Sequence, residues 1–426
     1  MNVLVVPGTT LVAREICNSL GTSKGIRLFG AGYDGEAARL FPYLRFDFVG
    51  DLASKNLLDK LEEIIERREI DLVILAHDSW IYEFRNTESI ERAKVMKNSS
   101  SVIELCLFKS STYEFLQKVI PTPNFFKSED QILAFPVFLK PDRGQGSVGT
   151  REISSQEELN PFIDSRGVIG HQWVVSELLT GQEYTVDCFS GLSGELLYSS
   201  PRVRLSVISG LAVETRIIEH QELSDWAEKI SQKIPIVGPW FFQAKEDSKG
   251  SLKLMEIGLR IAGGSSVQRL KGVNLSQLSV LQSQGLSLEI IDQRLFPSTI
   301  GNTLNLDFEF EAIYVDYDDT LILNSKKNLA LINFLMLSKK QGIKIVLITR
   351  HSGNLEKSLY QFELSSFFAD IIHLRHSESK SKCINSAGKF LFIDDSFHER
   401  HEMSLKFGSR VLVLDETFMI GGKVDK

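Results

Sequence analysis

Two stretches of this chain carry residue types at spacings from which chemistry can be made. The first is Asp316-Tyr317-Asp318-Asp319-Thr320-Leu321, directly after the apolar run Ala312-Ile313-Tyr314-Val315. A hydrophobic strand ending in two carboxylates two residues apart delivers them to the C-terminal edge of a sheet, where open α/β sheets bind ligands. An Asp-x-Asp after a strand can be an ordinary turn. Here, however, a strand over Ile345–Ile348 ends in Thr349, lysines occur at Lys380 and Lys382, and a strand over Phe390–Ile393 ends in Asp394-Asp395-Ser396.

The second stretch is Phe138-Leu139-Lys140-Pro141 followed by Asp142-Arg143-Gly144-Gln145-Gly146-Ser147-Val148-Gly149. A strand ending in a lysine, then a loop with three glycines and a serine, offers a point cation and bare N–H groups that can approach phosphates closely. A flexible hairpin with a surface lysine would look the same. The downstream residues separate the two, in the order Ser176-Glu177-Leu178-Leu179, Gly181-Gln182-Glu183-Tyr184-Thr185-Val186-Asp187, Gln243, and Glu256-Ile257-Gly258-Leu259-Arg260.

That ordered set resembles the carboxylate–amine ligases of the ATP-grasp superfamily, over roughly residues 1–300. The resemblance implies ATP and Mg²⁺ as cofactors. Lys140 and Lys109 (in Leu107-Phe108-Lys109-Ser110-Ser111-Thr112) would hold the nucleotide phosphates, with Gly146 and Ser147 in the phosphate loop. Glu177 would read the adenine side, Glu183 the ribose, Gln243 and Glu256 would hold Mg²⁺, and Arg260 would meet the terminal phosphate. The implied reaction passes the γ-phosphoryl group to a substrate carboxylate, and an amine then displaces phosphate. Where the family shows Glu-Ile-Asn-Pro-Arg, this chain has Gly258, which has no side chain to ligate a second ion. The alternative is a non-catalytic nucleotide- or ligand-binding body, with the C-terminal part as sole catalyst. Arg202 and Arg204 either clamp the carboxylate bidentately or lie on a solvated strand face.

The C-terminal set resembles the haloacid dehalogenase superfamily. By that resemblance Asp316 is the nucleophile that forms an aspartyl phosphate, and Asp318 protonates the leaving group and then activates water. Asp394 and Asp395 join Asp316 and the Asp318 carbonyl around Mg²⁺, Thr349 bonds a phosphate oxygen, and Lys380, preferred to Lys382 on spacing, neutralises the nucleophile. Thr320 and Thr349 are separated by 28 residues, and Thr349 and Lys380 by 30. Each interval holds one crossover, so no cap domain is inserted.

The elements that must position these residues can be read from the apolar runs. Strands over Val3–Val6, Ile26–Phe29 and Asp71–Ala76 alternate with helices over Leu11–Leu20 and Leu57–Arg68, and this predicts a parallel sheet. Glu91–Lys118 reads as helical. Strands then occur over Pro136–Lys140, Trp173–Glu177, Tyr184–Phe189, Leu196–Tyr198, Trp240–Lys245 and Leu252–Ile257, and a second parallel unit over 312–315, 344–348, 390–393 and 411–414. The expected class is an α/β and α+β multidomain chain. It comprises a Rossmann-like pre-ATP-grasp domain (1–90), an ATP-grasp domain (91–304) and a capless Rossmannoid phosphatase-like domain (305–426). The turn at Gly8 lacks the GxGxxG of a dinucleotide site.

Composition narrows the function further. The 426 residues suggest about three domains, and 43% hydrophobic with 24% charged residues is ordinary for a globular chain. The net charge of −7, without basic clusters, argues against nucleic acid. The N-terminus does not read as a signal peptide and no stretch reads as a membrane span, and four scattered cysteines suit a reducing compartment, so a cytoplasmic enzyme is expected. Its partners would be small-molecule carboxylate and amine substrates and a phosphorylated metabolite; a homodimer is compatible with the sequence. The histidines between His351 and His401 read as an exposed helical stretch, and the charges of Leu61–Glu69 as a solvated helix face.

Overall fold

The computed structural model describes the chain apart from residues 22, 34–37, 39–40, 55, 88–92, 209, 292–297, 301–303, 307–308, 324, 376–377, 386 and 415–426. Near the N-terminus, β1 (Asn2–Val6), β2 (Arg27–Gly32), β3 (Arg45–Phe48), β4 (Leu72–Leu75) and β5 (Lys94–Met96) make a parallel sheet in the order β3-β2-β1-β4-β5. β1 and β4 are buried throughout, as strands covered on both faces must be. α1 (Leu11–Leu20) begins at Thr10, whose hydroxyl accepts the Ala13 N–H at 3.0 Å. α2 (Leu57–Arg67) buries Leu57, Leu61, Ile64 and Ile65. At the end of β1 the Tyr43 hydroxyl donates to the Gly8 carbonyl at 2.8 Å, and the rings of Tyr43 and Phe46 stand over Gly8 and Gly30.

Next along the chain are α3 (Asp78–Glu83), α4 (Ser100–Leu107) and α5 (Lys109–Leu116). The stretch from Glu91 to Lys118 is therefore not wholly helical: Lys94–Met96 pairs with β4, because the open edge of that sheet satisfies its backbone. Residue 90, the expected boundary, lies outside the described residues. β6 (Phe125–Phe126), β7 (Val137–Pro141), β8 (Arg151–Ile153) and β9 (Trp173–Glu177), with α6 (Gln156–Leu159), form an antiparallel sheet ordered β6-β9-β7-β8.

β10 (Glu183–Ser190), β11 (Leu196–Ile208), β12 (Leu211–Ile217), α7 (Gln221–Lys233), β13 (Gly238–Glu246) and β14 (Leu252–Gly258) complete this body, with α8 (Leu275–Ser283). The strands run antiparallel in the order β14-β13-β10-β11-β12. Leu4, Trp80 and Ile103 share one core with Trp226, Trp240, Phe242 and Leu254. These segments share one core and belong to one compact unit, made of Met1–Gly21, Gly25–Ser265 and Leu275–Glu289.

The second unit is formed mainly by the chain from Ile290 onward, with Ser266–Asn274 and Ser23–Lys24 also grouped in it. After the short hairpin β15 (Ser298–Ile300) and β16 (Leu304–Leu306), its strands are β17 (Ala312–Val315), the small hairpin β18 (Ile322–Leu323) and β19 (Lys326–Lys327), β20 (Lys344–Thr349), β21 (Asp370–His373), β22 (Phe390–Ile393) and β23 (Val411–Leu414). Five of them make a parallel sheet, β21-β20-β17-β22-β23. Helices α9 (Leu329–Lys340), α10 (Leu355–Gln361), α11 (Lys380–Cys383) and α12 (Phe397–Phe407) make the crossovers. Phe390, Phe392, Met403 and Phe407 anchor a separate core. Among the described residues no domain interrupts the crossovers between β17 and β20 or between β20 and α11.

Candidate functional site

One face of the β10–β14 sheet is polar because the strands alternate. Tyr184, Val186, Trp240, Phe242, Ala244 and Leu254 turn into the core, and Glu183, Thr185, Asp187, Gln243 and Lys245 take the other face. Register lines these up: Thr185 pairs with Arg202 on one side and Gln243 on the other, and Gln243 with Glu256. Between Gln243 and Ala244 the ladder shifts, leaving Met255 as the extra residue of a bulge, so Glu256 faces the same way as Gln243. The bulge is held from outside the sheet. Tyr113, fully buried on α5, donates its hydroxyl to the Met255 carbonyl at 2.6 Å and accepts from Lys140 Nζ at 2.7 Å.

Lys109 joins this cluster, donating to the Gly144 carbonyl at 3.0 Å with its Nζ 3.6 Å from Glu256. Asp142 orders the start of α5, accepting the Ser110 N–H at 2.8 Å and the Ser110 hydroxyl at 2.6 Å. Burial, with the nearby Lys109 charge adding to it, pulls the Lys140 amine down to about 7. In the Gly-rich loop Gly146 and Ser147 both have positive φ, and they pack so closely on Gly210 that a side chain there would collide. Lys109, Lys140, the loop and Glu256 are therefore brought together. Glu177 sits at the end of β9, accepting the Asn124 N–H at 2.8 Å, with Lys253 at 3.7 Å.

Four of these candidate residues are already engaged with protein partners. Arg202 is neither a free clamp nor solvated: it is 2% exposed, and it donates to Asp187 at 2.8 and 3.4 Å and to Thr215 at 3.2 Å. Arg204 is tied to Glu183, to Gln243 Oε1 at 3.0 Å and to the Gly210 carbonyl at 2.6 Å. Glu183, expected at a ribose, is thereby closed by a guanidinium. Arg260, expected at a terminal phosphate, donates to both Asp78 oxygens at 2.9 and 2.8 Å and to Gln145 at 2.9 Å. Arg202 and Arg204 are buried guanidinium groups and Arg260 a largely enclosed one, and each is paired with a carboxylate.

The position of Gly258 has a local cause. It pairs with Phe241, and a Cβ at 258 would run into the Phe241 ring, over which Arg260 also lies, 5.1 Å from the centroid. An aromatic ring thus occupies the space of the missing ligand side chain. Of the two residues expected to hold the ion, Glu256 offers a carboxylate and Gln243 an amide oxygen already bonded to Arg204. Thr185 Oγ1 and Arg204 Nε on the same face are buried without hydrogen-bond partners, the condition of groups that a polar ligand would satisfy.

In the second unit β17, β20 and β22 lie side by side and end together, which brings Asp316, Thr349 and Asp394 to one edge of the sheet. Lys380, at the start of α11, places its Nζ 2.6 Å from Asp316 Oδ1 and 2.6 Å from Asp394 Oδ2. Lys382 makes neither bond. Burial, reinforced by the Asp394 charge, pushes the Asp316 carboxyl up, and burial does the same to Asp394. Burial opposes charge on Lys380, yet the two carboxylates outweigh it and hold its amine above the usual lysine range. Asp395 is placed by Thr320, whose hydroxyl accepts the Asp395 N–H at 3.0 Å.

Asp316, Asp394 and Asp395 offer three carboxylate oxygens within 4.8 Å of one another, a grouping matched by no other set of acids, histidines or cysteines among the described residues. Hard oxygen donors at this density fit Mg²⁺. The Asp318 carboxylate lies outside that group and bonds His351, a residue the sequence assigns to an exposed helical stretch. His351 stands in the loop after β20, its Nδ1 2.9 Å from both Asp318 oxygens. Neither Tyr113 nor His351 is recognisable as a site residue from sequence, because nothing in spacing links either to its partner.

Known proteins share parts of this architecture. The family described as "ATP-grasp in the biosynthetic pathway with Ter operon" matches residues 170–298, and the "D-ala D-ala ligase C-terminus" family matches 107–203. A D-alanine–D-alanine ligase of Bacillus anthracis is 24% identical over 149 residues, 32% of this chain and 49% of that protein. The chain spans about half the length of the curated relatives it matches. Among solved structures, the biotin carboxylase domain of Hydrogenobacter thermophilus 2-oxoglutarate carboxylase, in complex with MgADP, ADP and bicarbonate, superposes with a TM-score of 0.58 at 14% identity, covering 70% of this chain and 73% of that one. N5-carboxyaminoimidazole synthetase from Staphylococcus aureus, complexed with ADP, gives 0.55 at 15% identity, with 70% and 80% covered. The chain is a mixed α/β multidomain protein with an ATP-grasp fold. No helix among the described residues is long and apolar enough to cross a membrane.

Proposed function

We propose that this chain is an ATP-dependent ligase that activates a small carboxylate as its acyl phosphate and joins it to an amine, carried with a Mg²⁺-dependent phosphatase site. The convergence of Lys109, Lys140 and Glu256 on the Gly144–Gly149 loop supports the first activity, as do the ligase relatives and the ADP complexes of proteins with this fold. Lys109, Lys140 and the loop N–H groups would hold the ATP phosphates, and Glu256, with Gln243, the cation beside them. Arg260, steadied by Asp78, would face the group being transferred.

For the second activity the supporting observation is Lys380 lying between Asp316 and Asp394. Asp316 Oδ attacks phosphorus, the ester P–O bond breaks, and the proton on Asp318 passes to the departing oxygen, leaving an alcohol and an aspartyl phosphate. Water then attacks phosphorus, Asp318 takes its proton, and the P–O bond to Asp316 breaks to give inorganic phosphate. Mg²⁺ held by Asp316, Asp394 and Asp395 would neutralise the phosphate charge that these acids otherwise repel.

Lys140→Ala is expected to abolish ADP release across a panel of acids and amines while Mg²⁺-dependent cleavage of a phosphate ester persists; Asp316→Asn should do the reverse. One substitution silencing both assays, or neither doing so, rejects this reading. Gly258 and the Arg204-bound Gln243 favour a second reading, a body that binds nucleotide without turnover. Calorimetric binding of MgATP without ADP release under any substrate pair would select it.

A further inference from the structure

We propose that a cavity of about 240 Å³ beside β5 receives the acid that this chain activates, and that this acid is an apolar carboxylate with no α-ammonium group. The inference rests on the ligase reading and names its substrate class. The cavity lies within one unit, enclosed by the end of β4, the edge strand β5, the start of β13, the last turn of α8 and Leu259–Ile261 after β14. Arg260 forms part of its wall, and the guanidinium of that residue bonds Asp78 and Gln145 of the Gly-rich loop. An acid seated there would have its carboxylate beside the loop that is to hold the ATP phosphates.

The neutral polar side chains of the wall are spent on the frame. Asn98 bonds the Val237 backbone in both directions, donating to its carbonyl at 3.2 Å and accepting its N–H at 2.7 Å, and Gln282 donates to the Ser190 carbonyl at 2.9 Å. Much of the remaining lining is apolar, with Val95, Met96, Pro239 and Leu259 around the space and Leu192, 60% exposed, at its edge. The charged groups are Lys94, Lys97 and Arg260, and none of the described residues that line the cavity is acidic. Lys94 donates to the Ser283 carbonyl, a bond that does not cancel its charge.

That lining selects both the body and the head of its occupant. An apolar cavity of roughly 150 Å³ accepts benzene, so this one suits about ten non-hydrogen atoms. A carboxylate head meets donors on every charged side chain of the wall. An α-ammonium would instead lose its water among ammonium and guanidinium groups, with no carboxylate to receive it. By the same argument the amine substrate enters elsewhere.

The test uses the full chain with MgATP, and hydroxylamine in place of the unidentified amine. Its nitrogen attacks the acyl carbon of the acyl phosphate and loses a proton to solvent, the C–O bond to phosphate breaks, and the hydroxamate is read together with released ADP. Two pairs of acids share a carbon skeleton and differ only in the α-ammonium: 4-methylpentanoate with L-leucine, and 3-phenylpropanoate with L-phenylalanine. Within each pair the acid lacking nitrogen should be favoured in kcat/KM by about 10²-fold. Leu192→Asp places a carboxylate at the cavity edge outside the proposed catalytic groups. It should raise KM for 4-methylpentanoate about tenfold, leave kcat within about twofold, and narrow the preference over L-leucine, with Tm unchanged. Amino acids turned over as well as their nitrogen-free partners overturn the inference, as does activity confined to a panel of hydroxy, amino and dicarboxylic acids, or a folded Leu192→Asp variant with native KM values. No ADP release and no hydroxamate with any acid of the pairs or the panel overturns the ligase reading itself.

Discussion

Two buried lysines in this chain are driven in opposite directions by their neighbours. Lys380 faces two carboxylates and is held charged, whereas Lys140 is enclosed beside a phenol and a second lysine, and burial takes its amine down to about 7. ATP phosphates would restore the missing counter-charge and raise that value, so binding must take up a proton wherever free Lys140 is neutral. The sign is then fixed: uptake should be small near about pH 6.5, where the amine already carries its proton, and approach one near about pH 8.5. Titration calorimetry with MgATP in buffers of differing ionisation enthalpy measures this number. Uptake that does not increase between those pH values would show that Lys140 does not meet the phosphates.

At the scale of elements, the β13–β14 pair decides what the nucleotide side can hold. Phe241 covers Gly258 across the pair, so Gly258→Asn must displace the ring and should destabilise the fold by about 1–3 kcal/mol, read as a lower Tm. In a Phe241→Ala background the further cost of Gly258→Asn should be smaller, because the two changes share one space; strict additivity would exclude the steric account. The neighbouring strands show what the sequence can reveal. Strands buried on both faces, β17, β20 and β22, are legible as apolar runs nearly to the residue. β11 is legible only over Leu196–Tyr198, since Ser199 to Arg204 looks like surface; the chain instead buries Arg202 against Asp187, out of reach of solvent. β5 and β21 are short edge strands with exposed residues, and their pattern carries no burial signal. The site's residue types and order are readable, but the hydroxyl of Tyr113 and the ring of His351 are not, because contacts between distant positions leave no periodicity.

On the scale of the whole molecule, each unit closes its own core and keeps its own charged centre. The C-terminal centre buries two carboxylates around one ammonium, an arrangement that depends on the cation, since removing one partner of a buried ionic set costs about 3–5 kcal/mol. Lys380→Met should therefore lower the unfolding transition of the second unit by about 10 °C without divalent ions. Mg²⁺ should restore part of it, because a dication among Asp316, Asp394 and Asp395 replaces the lost charge. The deficit has a defined pH dependence. Burial raises both carboxyls above their unfolded values, so the folded state binds protons that the unfolded state releases, and stability falls as pH rises through that window. Without the lysine that fall steepens, so the variant should lie closer to the native chain at about pH 5 than at about pH 8. Scanning calorimetry at both values, with and without Mg²⁺, measures it, and a deficit that neither Mg²⁺ nor acid reduces would mean that Lys380 stabilises through packing rather than through charge.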